Sequence, residues 1–132
     1  MKVFLDTNVW LSATVFAGLC EALLIESAQR NWLITSQLVR QEAHEVLTRK
    51  FARLPRAPEL FDAVWSQALC VPDVDKPMDD NDARLVNAAL QAGAVVFVTG
   101  DSRVLSWDKQ GQMHTLNPRD AWMFLFANKA VE

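Results

Sequence analysis

The sequence predicts an α/β protein with a central parallel sheet and helices on both faces. Three observations carry this. Short apolar runs alternate with longer stretches of helical periodicity. The runs are continuously apolar rather than alternating, as strands covered on both faces require. Repetition of that βα unit favours parallel strands joined by right-handed connections.

The elements follow in order. Lys2-Val3-Phe4-Leu5 reads as the first strand and ends at Asp6. Val9 to Ala28 is mostly apolar and of helical length. Trp32-Leu33-Ile34-Thr35 is the second strand, and Ser36 is placed to N-cap a helix reaching about Phe51. Arg49 to Pro58 is basic and holds two prolines, which marks a connection. Glu59 to Leu69 has helical periodicity, and Cys70-Val71-Pro72 reads as a short strand. Asp73 to Asp80 is a polar loop containing Pro77. A helix from about Asn81 to Ala92 ends at Gly93, a good C-cap residue. Ala94 to Thr99 is the clearest strand and leads into Gly100-Asp101. Ser102 to Trp107 suits one or two helical turns. His114-Thr115-Leu116 reads as a last strand, and Pro118 opens a terminal helix through Asn128.

Length and composition narrow the function classes. A chain of 132 residues suits one domain, residues 1–132. With 51% hydrophobic and 22% charged residues, disorder and low complexity are excluded. The formal charge of −3 gives no overall pull on nucleic acid, so such binding needs a local basic patch or bound cations. Arg49, Lys50, Arg53 and Arg56 form the basic cluster. Cys20 and Cys70 are too few for a disulfide framework or a thiolate zinc site and read as buried free thiols. No apolar stretch reaches the roughly 20 residues of a membrane span. Asp6 interrupts what would be the apolar core of a signal peptide. A cytoplasmic protein without membrane association is expected.

The chemistry lies in the acids. Two apolar strands end in aspartate, Asp6 and Asp101, and parallel strands carry both to the sheet edge where α/β proteins bind ligands. Either aspartate also suits an N-cap. In the second helix, Val39, Ala43, Val46 and Leu47 form the apolar stripe, and Glu42 borders it while Glu45 turns to solvent. A carboxylate beside a buried face is costly unless something cationic meets it. Asp79, Asp80 and Asp82 cluster at a helix start, more acids than one cap needs. Asp82 enters the helix and is favoured for a site, which leaves Asp80 or Asp79 as the cap. Asp6, Glu42, Asp82 and Asp101 together would make a hard-oxygen site suited to Mg²⁺ or Mn²⁺ rather than zinc. His44 is expected to face solvent, and neither it nor His114 is assigned a role.

These residues, in order, resemble the PIN-domain nucleases. Asp6-Thr7-Asn8-Val9 is similar to the family's opening motif. Ser36 to Leu47 resembles the second, with Glu42 at the acidic position. Asp82 to Ala89 resembles the third and Thr99-Gly100-Asp101-Ser102 the fourth. Leu116-Asn117-Pro118-Arg119-Asp120 is similar to the family's ending. The likeness is nearest to bacterial members acting as toxins of toxin–antitoxin pairs. It implies a three-layer α/β/α sandwich and metal-dependent endonucleolytic cleavage of RNA, leaving phosphate on the 5′ end of the downstream fragment. Asp6, Glu42, Asp82 and Asp101 would hold one or two Mg²⁺ or Mn²⁺ ions. Thr7 or Asn8, with Thr99 or Ser102, would support them. An antitoxin partner and a homodimer are implied. The chain departs from the pattern after the fourth aspartate, where many relatives carry a further acid or Asn and this chain has Arg103 and Val104.

Within this reading Asp6 is the central ligand and Glu42 orients the attacking water. The basic cluster either guides the RNA backbone or is a solvated connection. Trp10 lies near the proposed site and reads more readily as core than as a residue that stacks on a base. Trp122, Phe124, Leu125 and Phe126 make the terminal helix apolar on several sides, from core packing or a dimer face. Two rival readings are a non-catalytic PIN-like binding module and an aspartate-phosphorylated phosphatase or receiver domain. Position 8 is Asn where such a phosphatase wants a second Asp.

Overall fold

The computed structural model describes residues 1–74, 80–107 and 109–127. The chain runs β1 (Val3–Leu5), α1 (Thr7–Val15), α2 (Leu19–Gln29), β2 (Leu33–Thr35), α3 (Gln37–Lys50), α4 (Ala57–Trp65), β3 (Leu69–Cys70), α5 (Asn81–Gln91), β4 (Val96–Val98), α6 (Ser102–Leu105), β5 (His114–Leu116) and α7 (Pro118–Trp122), then a π-helical turn over Met123–Ala127. The strands form one parallel sheet in the order β3-β2-β1-β4-β5. Every residue of β1, β2 and β4 is buried, which is why their sequences are unbroken apolar runs. Phe4 and Phe97 stack across β1 and β4 at 5.5 Å. The result is the expected three-layer α/β/α sandwich.

The strand order reverses at β1. The chain steps outward through β2 and β3, then returns past β1 to β4 and β5. Such a reversal opens a crevice at the carboxyl ends of the two strands flanking it. Asp6 and the Thr99-Gly100-Asp101 segment both lie there.

The long N-terminal helix expected over Val9 to Ala28 is two helices. Phe16 is extended, and Gly18 has φ of 152°, a conformation that strains any residue with a Cβ. The pair bends by 105° at this break, and both halves pack on the sheet side. Among the described residues no helix is long and apolar enough to cross a membrane. The helix expected from Glu59 begins earlier, at Ala57, because Pro58 sits comfortably in a first turn. The cysteines are not buried: Cys20 is half-buried and Cys70 is exposed on the edge strand β3. Asn128, the expected end of the terminal helix, lies outside the described residues.

Candidate active site

Asp6 is the most constrained acid. Its backbone N–H donates to the Val98 carbonyl at 2.8 Å, so β4 holds it in register. Its Oδ1 accepts from the Thr7 N–H and its Oδ2 from the Thr99 hydroxyl, both at 2.7 Å. The side chain thus caps α1 and also reaches across to the end of β4. Only 4% of Asp6 is exposed, and among the described residues no cation pairs with it. Burial therefore raises its pKa to about 6, against the hydrogen bonds from Thr99 and Thr7. The negative charges of Asp82 and Glu42 push the same way, which places both within electrostatic reach of Asp6.

Glu42 turns inward from α3, as its place beside the apolar stripe suggests; Val39, Ala43 and Leu47 are buried. The Thr7 hydroxyl donates to its Oε1 at 2.7 Å and the Asn81 amide to its Oε2 at 3.0 Å. Thr7 therefore links the first two acids, its N–H on Asp6 and its hydroxyl on Glu42. Asn81 is a participant that the sequence did not single out. It stood in view only as the neutral member of an acidic cluster.

At the start of α5, Asp80 is the cap, accepting from the Asp82 and Ala83 N–H groups. Asp82 lies in the first turn, and Asp79 is outside the described residues. Arg103 reaches over from α6 to both acids. Its Nη1 and Nη2 donate to Asp80 at 2.8 and 3.1 Å, and Nη2 also donates to Asp82 Oδ2 at 2.9 Å. The guanidinium holds the Asp80 carboxyl below its ordinary range, and Asp80 and then Asp82 stabilise the charged guanidinium in return.

Asp101 follows β4 and caps α6, its Oδ1 accepting from the Arg103 N–H at 2.8 Å. Its own N–H donates to Thr99 Oγ1 at 3.1 Å, so Thr99 joins the first and fourth acids. Asn8 and Ser102 are exposed, and among the described residues neither bonds to the four acids. Asn8 and Gly100 instead line a shallow concavity of about 200 Å³ with Ser12 and Pro118.

The basic cluster occupies another part of the surface. Arg49 and Lys50 end α3, and Arg53 and Arg56 follow it, all exposed. With Phe16 and Leu54, three of them line a groove of about 630 Å³ at the far end of α3 from Ser36. Along α3, Arg49 lies about 10 Å beyond Glu42.

Of the two readings of Trp10, the structure selects core: it is fully buried and packs against Phe61 at 5.1 Å. Helix α1 turns it toward α4 rather than toward the crevice. His44 does not simply face solvent; its Nε2 meets Asp62 at 2.7 Å and its ring stands edge-on to Phe61.

The PIN-domain family model matches residues 2–103, which span β1 through Arg103 and include all four acids. No curated protein gives a match. The matched span covers most of the chain and contains the crevice at the strand reversal, so the chain belongs to the PIN-domain family.

Proposed function

We propose that the protein is a divalent-metal-dependent endoribonuclease and the toxin of a toxin–antitoxin pair. PIN domains are generally nucleases and generally use divalent metals. The observation that carries the reading is Asp6, a carboxylate that is buried, held by Thr7 and Thr99 and within electrostatic reach of Glu42 and Asp82, with no cation of its own among the described residues. Such a cluster is unfavourable without a counter-charge.

The donor set fits the group: hard carboxylate oxygens on separate rigid elements suit Mg²⁺ or Mn²⁺. As they stand, no three described acid, His or Cys side chains gather round one point. Asp82 is drawn toward Arg103 instead. Asp6, Asp82, Asp101 and Glu42 would hold the ion, with Asp6 at the centre. A bound divalent ion would neutralise phosphoryl oxygens and lower the pKa of a water. The chain's own residues do the rest. Thr7 and Thr99 hold Asp6 in one rotamer, Glu42 orients the attacking water, and Asn81 and Thr7 hold Glu42. Arg49, Lys50, Arg53 and Arg56 attract flanking RNA phosphates. A homodimer, an antitoxin and a cytoplasmic location complete the reading.

Single-stranded RNA incubated with Mn²⁺ or Mg²⁺ is expected to be cut by the unaltered protein, and not by Asp6→Asn or in EDTA. Equal cutting by a pure Asp6→Asn sample overturns the reading. A second reading, a non-catalytic binding module, is favoured by the ion pairs that Arg103 makes with Asp80 and Asp82. It expects no carboxylate-dependent heat on titration with Mn²⁺.

A further inference from the structure

We propose that Arg103 stands in for a divalent ion on Asp80 and Asp82, so that the site loads one ion fewer than its acids would otherwise take. This deepens the metal-dependent reading above and rests on it. The guanidinium makes three short hydrogen bonds to two carboxylates, two of them a parallel fork on Asp80. That geometry is specific to arginine, whose planar donors match carboxylate oxygens.

Two further contacts hold the group in place. Its Cζ lies 5.1 Å from the centre of the Trp107 ring, within cation–π range. Its backbone N–H is taken by Asp101, so the acid after β4 fixes the point from which the side chain departs. Arg103 is thus held at its backbone by Asp101 and at its guanidinium by Trp107. Of the two Asp82 oxygens it engages Oδ2. One guanidinium on two carboxylates leaves a single net negative charge there, too little to draw in a further divalent ion against a bound cation. Arg103 is a positioning residue: it fixes Asp80 and Asp82 while Asp6 and Glu42 keep their uncompensated charge.

The test counts Mn²⁺ ions per chain by calorimetry and by paramagnetic resonance of the free ion. Circular dichroism checks the fold of each variant. Arg103→Gln is expected to bind one more ion than the unaltered protein. Asp80→Asn in that background, a change that keeps a good helix cap, is expected to remove the added ion. An unchanged count in Arg103→Gln, or an added ion that survives Asp80→Asn, overturns the inference. Asp6→Asn separates the two ideas. If the unaltered protein's ion disappears with Asp6→Asn but Arg103→Gln adds none, the inference alone fails. If no variant binds Mn²⁺, the metal-dependent reading fails and the inference falls with it.

Discussion

Asp6 and Asp62 are both engaged by hydrogen bonds, yet their surroundings treat their charge in opposite ways. Asp62, on α4, receives Nε and Nη2 of Arg40 at 3.1 Å each and meets His44 Nε2 at 2.7 Å. Arg40 in turn lies over the Trp65 ring. Partial burial would raise the Asp62 pKa, but Arg40 and then His44 outweigh it and hold the carboxyl below its usual range. Asp6 is far more buried, accepts only from neutral donors among the described residues, and is pushed up to about 6. An acid that joins α3 to α4 brings its own cation. The acid in the crevice has none beside it among the described residues, at a cost to the fold. Asp80 and Asp82 stand between these cases, acids in the crevice neighbourhood that Arg103 already serves.

The largest effect expected to test this contrast is on cleavage. Asp6→Asn should lower metal-dependent RNA cutting at least about 100-fold, since a central ligand supplies several kcal/mol of charge stabilisation. Asp62→Asn should leave the rate within about twofold. Gel assays on the two variants side by side check this, and similar losses from both would erase the distinction.

Next is stability against pH in the absence of metal. Between the ordinary carboxyl value and about 6, folded Asp6 keeps a proton that the unfolded chain releases. Stability should therefore fall as pH rises through about 4 to 6, by about 3 kcal/mol from this one group. Asp6→Asn should flatten that slope and be the more stable protein at pH 7 by about 2 kcal/mol in urea unfolding. Asp62 has the opposite sign: its contribution is present above the unfolded carboxyl value and is lost as pH falls below it.

A smaller effect is expected from Thr99→Val. It removes the hydroxyl that donates to Asp6 and accepts from the Asp101 N–H. Stability at pH 7 should drop by about 1–2 kcal/mol, the cost of leaving a buried acceptor unmet. The pH at which the falling slope ends should move above about 6. The smallest effect belongs to Asp62→Asn, whose carboxylate is itself more than one-third exposed. A loss under about 1 kcal/mol at pH 7 is expected from chemical denaturation.

Local patterns in the chain account for much of the fold. The apolar runs at Val3–Leu5, Leu33–Thr35 and Val96–Val98 are all strands, because a strand buried on both faces has no polar side to alternate with. The end of α5 follows from Gly93, with φ of 84° just past the helix. The cap of that helix was legible only as Asp79 or Asp80, and the backbone selects Asp80. Glu42 was legible as a border residue by helical spacing alone.

What stayed hidden depends on which distant segments meet. Periodicity through Val9 to Ala28 conceals the break at Gly18, because both helices bury apolar faces in the same core. What Trp10 packs on and what His44 meets stayed hidden because both surroundings are set by α4, whose docking on α1 and α3 has no local signature.

The sequence by itself determined that strands and helices alternate and that acids stand at the strand ends, since both follow from neighbours a few residues apart. Only the tertiary structure decided that β4 lies beside β1, which sets Thr99 on Asp6 across 93 positions of chain. The same packing brings Arg103 onto Asp80 and Asp82. Such pairings depend on strand order and helix docking, quantities summed over the whole core rather than written at any one position.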